Sequence, residues 1–163
     1  MTDATQPQTP AVMALQGAGV AFREHFYVYH EGGGTADCAQ ELNVDEHSVV
    51  KTIVLEGDGQ PLLVLMHGDM RASAKELAKI AGVKAVTPCP PEKAKEYTGY
   101  EVGGISPFGI CREMPVYMEE TILNLRKIYI NGGRKGFLLG MDPYDAVKVL
   151  RAVLVKVGSA RAA

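Results

Sequence analysis

Apolar and polar positions change period several times along this chain, and each change marks an element. Thr9-Pro10 sets a capping hydroxyl before a proline, which predicts a helix from residue 10 to about Gly17, stopped by Gly17 and Gly19. Residues 20–29 alternate, with Phe22, Glu24 and Phe26 opposed to Arg23, His25 and Tyr27, and predict a strand. After the loop Gly32-Gly33-Gly34, Thr35 is placed to cap a short helix through Leu42. Residues 49–55 and 62–66 are aliphatic runs separated by Gly57-Asp58-Gly59-Gln60, the composition of a hairpin turn. Ser73 predicts a helix cap, with Leu77, Ile80 and Ala81 as its buried stripe and Gly82 as its end. Residues 85–87 read as a short strand ended by Pro88, and Pro90-Pro91 opens a helix through Tyr97. Residues 116–118, 128–130 and 137–141 read as strands. Asp142-Pro143 starts a last helix with Val147 and Leu150 inward, and residues 152–157 form a closing strand.

Strands outnumber helices and many are joined by short turns. That pattern predicts an α+β fold, a single domain with a mostly antiparallel or mixed sheet curved toward a barrel and helices around it. Residues 1–8 are polar and are expected to be a disordered start, with the domain running over 9–157. A chain of 163 residues suits one domain, and no internal repeat or low-complexity segment divides it.

Composition narrows the class. Hydrophobic residues make up 47% and charged residues 22%, the balance of a folded globular chain and not of a disordered one. No apolar run approaches the roughly 18 residues that a membrane span needs, and the polar N-terminus carries no secretion signal. Cys38, Cys89 and Cys111 are odd in number and widely spaced, without a metal-binding pattern; reduced thiols in a cytoplasm are expected. Net charge is −2, yet residues 71–135 alone carry eleven Lys/Arg against seven Asp/Glu. Such a basic segment reads either as a phosphate-facing side or as solvated helix faces.

Three segments carry candidate chemistry. Lys51 interrupts Val49-Val50-Lys51-Thr52-Ile53-Val54-Leu55, and alternation puts it on the face of Ile53 and Leu55. It is either a paired functional amine or an edge lysine that snorkels to water. Tyr100-Glu101-Val102-Gly103-Gly104-Ile105-Ser106-Pro107 is either an ordinary turn or a loop whose N–H groups converge on an oxyanion. Ser106 lacks the nucleophile-elbow spacing, because Phe108 stands where the second glycine is required. Gly132-Gly133-Arg134-Lys135-Gly136 sets two cations on a tight turn between strands, for phosphate contact or for solubility. It is not a P-loop. His25 lies two residues before Tyr27, so both face one side; His30, His47 and His67 are isolated, and no metal is expected.

In this order and spacing, these segments resemble the YbaK family of free-standing aminoacyl-tRNA deacylases, relatives of the editing domain inserted in bacterial prolyl-tRNA synthetases. The shared elements are Thr9-Pro10-Ala11-Val12, Phe22…His25…Tyr27, Val50-Lys51-Thr52, Thr98-Gly99-Tyr100, Val102 to Pro107 and the Gly-Gly-Arg-Lys-Gly turn. The resemblance implies trans-editing hydrolysis of a mischarged aminoacyl-tRNA, Cys-tRNA(Pro) first and other small aminoacyl-tRNAs next, without a cofactor. It implies a catalytic set of Lys51 with the loop Gly103, Gly104, Ile105 and Ser106. Tyr27, His25, Thr52, Arg134 and Lys135 are implied on the substrate side. The partners implied are the tRNA 3′ end and prolyl-tRNA synthetase, in the cytoplasm. Attack is implied to come from the substrate's own thiol or a terminal-ribose hydroxyl. One departure bears on specificity: Leu138 stands where Cys-specific members carry an acidic residue, and the basic pair is inverted. A second class of function fits the acidic remainder of the chain, a non-catalytic module that binds aminoacyl-tRNA or a synthetase and regulates it.

Overall fold

The computed structural model describes residues 7–160. The elements are α1 (Pro10–Gly17), β1 (Arg23–Phe26), α2 (Gly34–Leu42), β2 (Val49–Gly57), β3 (Gln60–His67), β4 (Met70–Ala72), α3 (Ala74–Ala81) and β5 (Val86–Pro88). They continue with α4 (Pro91–Thr98), β6 (Val116–Glu119), β7 (Ile128–Arg134), β8 (Phe137–Met141), α5 (Pro143–Leu150), β9 (Val153–Val155) and β10 (Gly158–Ala160). One mixed sheet runs β1-β8-β7-β2-β3-β6-β9, with β5 added to the far end of β2. Strands β4 and β10 form a separate pair. The main sheet is open: β1 and β9 are its edges, so the curvature expected from the sequence does not close a barrel.

The middle of the sheet follows from β3. Leu63 and Leu65 enter the main core, whereas Leu62, Val64 and Met66 enter a second cluster on the opposite face. A strand apolar on both faces must be covered on both. Ala11, Val12 and Leu15 of α1, Ala94 and Tyr97 of α4 and Ala146 of α5 cover one side. Leu77 and Ala78 of α3 cover the other. A third cluster, Cys38, Ala39, Val49 and Leu138, seats α2 on the sheet beside the future site. No helix among the described residues is long and apolar enough to cross a membrane.

Local signals set the helix ends. Thr9, Ser73 and Asp142 each accept a backbone N–H of the first turn of the helix they precede. The β2–β3 hairpin turns on Asp58 and Gly59, both at positive φ, the conformation a two-residue turn requires.

Several expectations are corrected. The strand expected over 20–29 is only Arg23–Phe26, because β1 is an edge that pairs with β8 alone. Phe26 is exposed and stacks on Phe137 at 5.2 Å. Thr35 does not cap α2; Gly33 holds that position, and the Thr35 hydroxyl lies 2.7 Å from Glu46 Oε2 and 3.1 Å from Gly68 O. Ile80 is exposed, since it lies off the Leu77–Ala78–Ala81 stripe. Val147 and Leu150 are half-buried, and Pro143 and Ala146 are the buried residues of α5. Gly132, Gly133 and Arg134 belong to β7, so the turn itself is Lys135-Gly136, preceded by a register shift between Asn131 and Arg134. Of the N-terminal stretch expected to be disordered, residues 1–6 lie outside the described residues, and Pro7 is buried.

Two histidines that look isolated in the sequence meet in space. The His47 and His67 rings stack with centroids 3.7 Å apart. His67 is fully buried; its Nδ1 donates to His47 O at 2.7 Å, and its Nε2 lies 2.8 Å from Thr121 Oγ1. His47, His67 and Asp69 stand close enough to share an ion, but both His67 nitrogens and His47 Nδ1 already have hydrogen-bond partners.

The chain continues to Glu119, which is 4% exposed and carries the connection between β9 and β10. Its Oε1 accepts from Val157 N at 2.9 Å and Gly158 N at 2.7 Å; its Oε2 accepts from Thr121 N and Oγ1. Burial alone would raise its pKa. The backbone donors of Gly158, Val157 and Thr121, with the Thr121 hydroxyl, outweigh it and hold the carboxyl below its usual value. Its contribution to stability is therefore complete above the ordinary carboxylate range and is lost as pH falls through the lowered value. Glu119→Gln should destabilise the fold by about 3 kcal/mol at neutral pH. In urea titrations across pH, the gap between variant and wild type should narrow toward acid; a gap that does not change with pH would show that Glu119 does not act through its charge.

Candidate active site

A gap in the sheet makes the site. Strands β2 and β7 pair in parallel only at Val49–Tyr129 and Val50–Ile130. Beyond those pairs the strands separate, and a cavity of about 450 Å³ opens between them. Lys51 and Thr52 line one wall and Asn131 the other; Val102, Gly103 and Ile105 line a third. Tyr27, Cys38 and Leu138 contribute apolar surface from the third cluster.

Lys51 is half-buried, on the face it shares with Ile53 and Leu55. Its Nζ lies 3.4 Å from Gly68 O. Thr52 points to the opposite face, toward the main core, and its Oγ1 is buried with no hydrogen-bond partner among the described residues. A buried hydroxyl without a partner is unfavourable for the folded protein.

The Gly103–Ser106 loop is clasped from two sides. Gly103 has φ +95°, and a Cβ there would stand 2.6 Å from Tyr29 Oη. A Cβ on Gly104 would stand 2.8 Å from Lys135 N and 2.9 Å from Arg134 C. Only glycine lets the loop lie this close to both. The Gly104 N–H donates to Glu101 O at 2.8 Å, so among the four loop residues this amide is committed to the turn. Ser106 is fully buried and its Oγ accepts the Phe108 N–H at 3.2 Å. That is a turn-holding hydroxyl, shielded from any ligand.

The remaining candidates are distributed around this centre. Burial, with Cys38 beside it, pushes the Tyr27 hydroxyl up to about 12. Burial, with Glu41 and Asp37 nearby, also pushes the Cys38 thiol up to about 12. Both therefore present neutral O–H and S–H groups at neutral pH. His25 is not part of the lining: its ring stands edge-on to Tyr129 at 5.1 Å, and its buried Nε2 has no hydrogen-bond partner among the described residues. Burial, then Lys127 and Arg23, lowers its pKa, and among the described residues its Nε2 has no carboxylate partner of the kind that orients a general base. Arg134 and Lys135 line a separate cleft of about 370 Å³ with Tyr100, Glu101 and Gly104, on the other side of the glycine loop. Lys135 Nζ lies 3.5 Å from Glu31 Oε1 and 5.0 Å from the centre of the Tyr29 ring. Cys111 lies outside the lining, its Sγ directed at the Glu96 and Tyr97 carbonyls that end α4. His30, Asp37 and Glu41 form an exposed cluster at the rim, where Asp37 first and Glu41 next raise the His30 pKa. Asn131, Tyr29 and Cys38 are among the lining residues that sequence reasoning missed; for Asn131, its place directly before two glycines was the local signal.

The cavity thus brings Lys51, Thr52 and a glycine-rich loop to one place. Comparison with known proteins places it further. The model of the aminoacyl-tRNA editing domain matches residues 30–149, and the chain belongs to that family. An Enterococcus faecalis protein named "Putative Cys-tRNA(Pro)/Cys-tRNA(Cys) deacylase EbsC" is 27% identical over 141 residues, 85% of this chain and 86% of its own. A proline–tRNA ligase of Levilactobacillus brevis is 26% identical over 87 residues, which are 53% of this chain but 15% of that enzyme. The crystal structure of hypothetical protein APE2540 superposes with a TM-score of 0.84 at 26% identity, covering 92% of this chain and 99% of that one. The family expected from the motifs is therefore the family found.

The clasp gives a direct test. Gly104→Ala must displace the loop from the Arg134–Lys135 backbone, and overpacking of this kind destabilises by roughly 1–3 kcal/mol. Thermal unfolding should register that loss, while Val102→Ala, at an exposed position on the same loop, should leave the midpoint unchanged.

Proposed function

We propose that the protein hydrolyses the aminoacyl ester of mischarged tRNA in trans, with Cys-tRNA(Pro) or another small aminoacyl-tRNA as substrate. The observation that carries this reading is the opening of β2 from β7, which gathers Lys51, Thr52 and the glycine loop around one cavity. Lys51 holds the terminal phosphate or ester region. Thr52 forms the wall beside the bound terminus. The amides of Gly103 and Ile105 receive the oxyanion that develops when the ester carbonyl is attacked; Gly104 shapes the turn, because its own amide is taken. Ser106 holds the end of the loop. Tyr27, Cys38 and Leu138 bound the amino-acid side chain with neutral surface, which favours a short uncharged one.

The protein contributes position rather than a nucleophile. Attack is assisted by the substrate itself. A cysteine thiol displaces the ribose oxygen, which leaves with the thiol proton, and water then opens the resulting thiolactone. With other amino acids a terminal-ribose hydroxyl orients the attacking water, whose proton goes to the departing ribose oxygen. Arg134 and Lys135 contact phosphate of the RNA chain from their adjacent cleft, which sets affinity while the cavity sets specificity. Prolyl-tRNA synthetase is the partner that would present the mischarged tRNA.

The test is a deacylation time course with labelled Cys-, Ala- and Ser-tRNA(Pro). Wild type should release one amino acid well ahead of the others, and Lys51→Ala should abolish release while remaining folded. Thr52→Val should be as stable as wild type or more so in thermal unfolding, since it removes a buried, unsatisfied hydroxyl. No release from any of the three esters by a protein that still binds tRNA or the synthetase would overturn the enzyme reading in favour of a binding module.

A further inference from the structure

We propose that Asn131 is the positioning residue of the glycine loop. The inference rests on the deacylase reading for its chemical consequence, but its structural part stands on three hydrogen bonds. Asn131 Nδ2 donates to Gly103 O at 3.2 Å. Its Oδ1 accepts the Gly133 N–H at 2.6 Å and the Arg134 N–H at 3.1 Å. One amide side chain thus joins the loop to the bulged end of β7, using a donor on one side and an acceptor on the other.

The geometry gives this bridge a specific task. Gly103 belongs to the cavity wall, and so does Asn131. Fixing the Gly103 carbonyl fixes the plane of the following peptide, and with it the direction in which the loop backbone presents its groups. The Tyr29 ring bounds the loop from the other side, at the position where a Gly103 Cβ would lie. The loop is consequently held between an aromatic wall and two hydrogen bonds on the Gly103–Gly104 peptide, from Asn131 to its carbonyl and from its N–H to Glu101 O, and of these only the Asn131 bond ties it to β7. Asn131 is the first residue of β7 past the last pair with β2, so the residue that sets the loop is also the first one freed by the opening of the sheet.

The bridge can be cut on one side at a time. Asn131→Asp keeps an acceptor for the Gly133 and Arg134 amides, and so keeps the β7 bulge, but has no N–H for Gly103 O at neutral pH. Asn131→Ala removes both halves. With an ester that wild type hydrolyses, Asn131→Asp should lose on the order of 100-fold in kcat, the scale of a misplacement near 1 Å, with KM within about twofold. Amide hydrogen exchange should quicken over residues 102–106 and stay as in wild type over β7 and β8. Asn131→Ala should lose at least as much in kcat and also quicken exchange in the bulge. A wild-type kcat in Asn131→Asp, or exchange that quickens equally throughout β7 and β8, would overturn the assignment. Should wild type release none of the esters, the deacylase reading falls, and the exchange pattern alone decides the role of Asn131.

Discussion

The pairing of β2 with β7 stops after two residue pairs, and the site depends on that stop. Strands in a sheet normally stay together while both have unpaired backbone groups. Here β2 finds another strand, whereas past Ile130 the backbone of β7 turns to side chains, with Gly132 O accepting from Thr9 and the Gly133 N–H donating to Asn131. The far end of β2 turns to β5 through Leu55, Glu56 and Gly57, and β7 bulges between Asn131 and Arg134 on its way into β8. The two strands leave Val50 and Ile130 in different directions. Both of those residues are buried in the main core, so the fork is anchored where packing is densest. A cavity placed at such a fork is rigid on its closed side and open on the other, which suits a site that must hold a ligand without closing over it.

The clasp around the glycine loop is the second consequence. Thr9, which caps α1, also donates its hydroxyl to Gly132 O, so the start of the first helix steadies the same stretch of β7. Tyr100 donates to Phe108 O at 2.6 Å and spans the loop at its base. The loop ends are therefore fixed by side chains of the core, while its middle is fixed by the absence of side chains at 103 and 104. Stability and function separate along the loop: the anchors belong to the fold, and the tip belongs to the cavity.

How much of this was legible depended on the range of the interaction. The caps at Thr9, Ser73 and Asp142, the Asp58-Gly59 turn and the apolar run of β3 are local, and each appears in the structure where the sequence pattern puts it. Strand alternation also placed Lys51 on the face of Ile53 and Leu55. What could not be read was register. The stacking of His47 on His67 needs residues twenty apart to be brought together by the start of β2 and the end of β3. The length of β1 depended on its being an edge. The division of Gly132-Gly133-Arg134-Lys135-Gly136 between strand and turn depended on a bulge that its composition permits but does not require. Composition marked a glycine loop, and Gly103 and Ile105 line the cavity, yet it could not say that the Gly104 amide would be spent on Glu101 O.

That last detail bears on how such a site can work. Tyr27 and Cys38 stay protonated, Ser106 is buried in a turn, and His25 lies outside the cavity among cations. None of these groups is placed to attack an ester. Under the proposed function, rate then comes from holding the carbonyl where the substrate's own groups can reach it, with backbone N–H groups ready for the oxyanion. Preorganised dipoles stabilise a developing charge only as well as they are aimed. A site of this kind puts its specificity in the reach of the substrate as well as in the walls of the cavity: an amino acid that fits but cannot bring its attacking group to the carbonyl is bound and left intact.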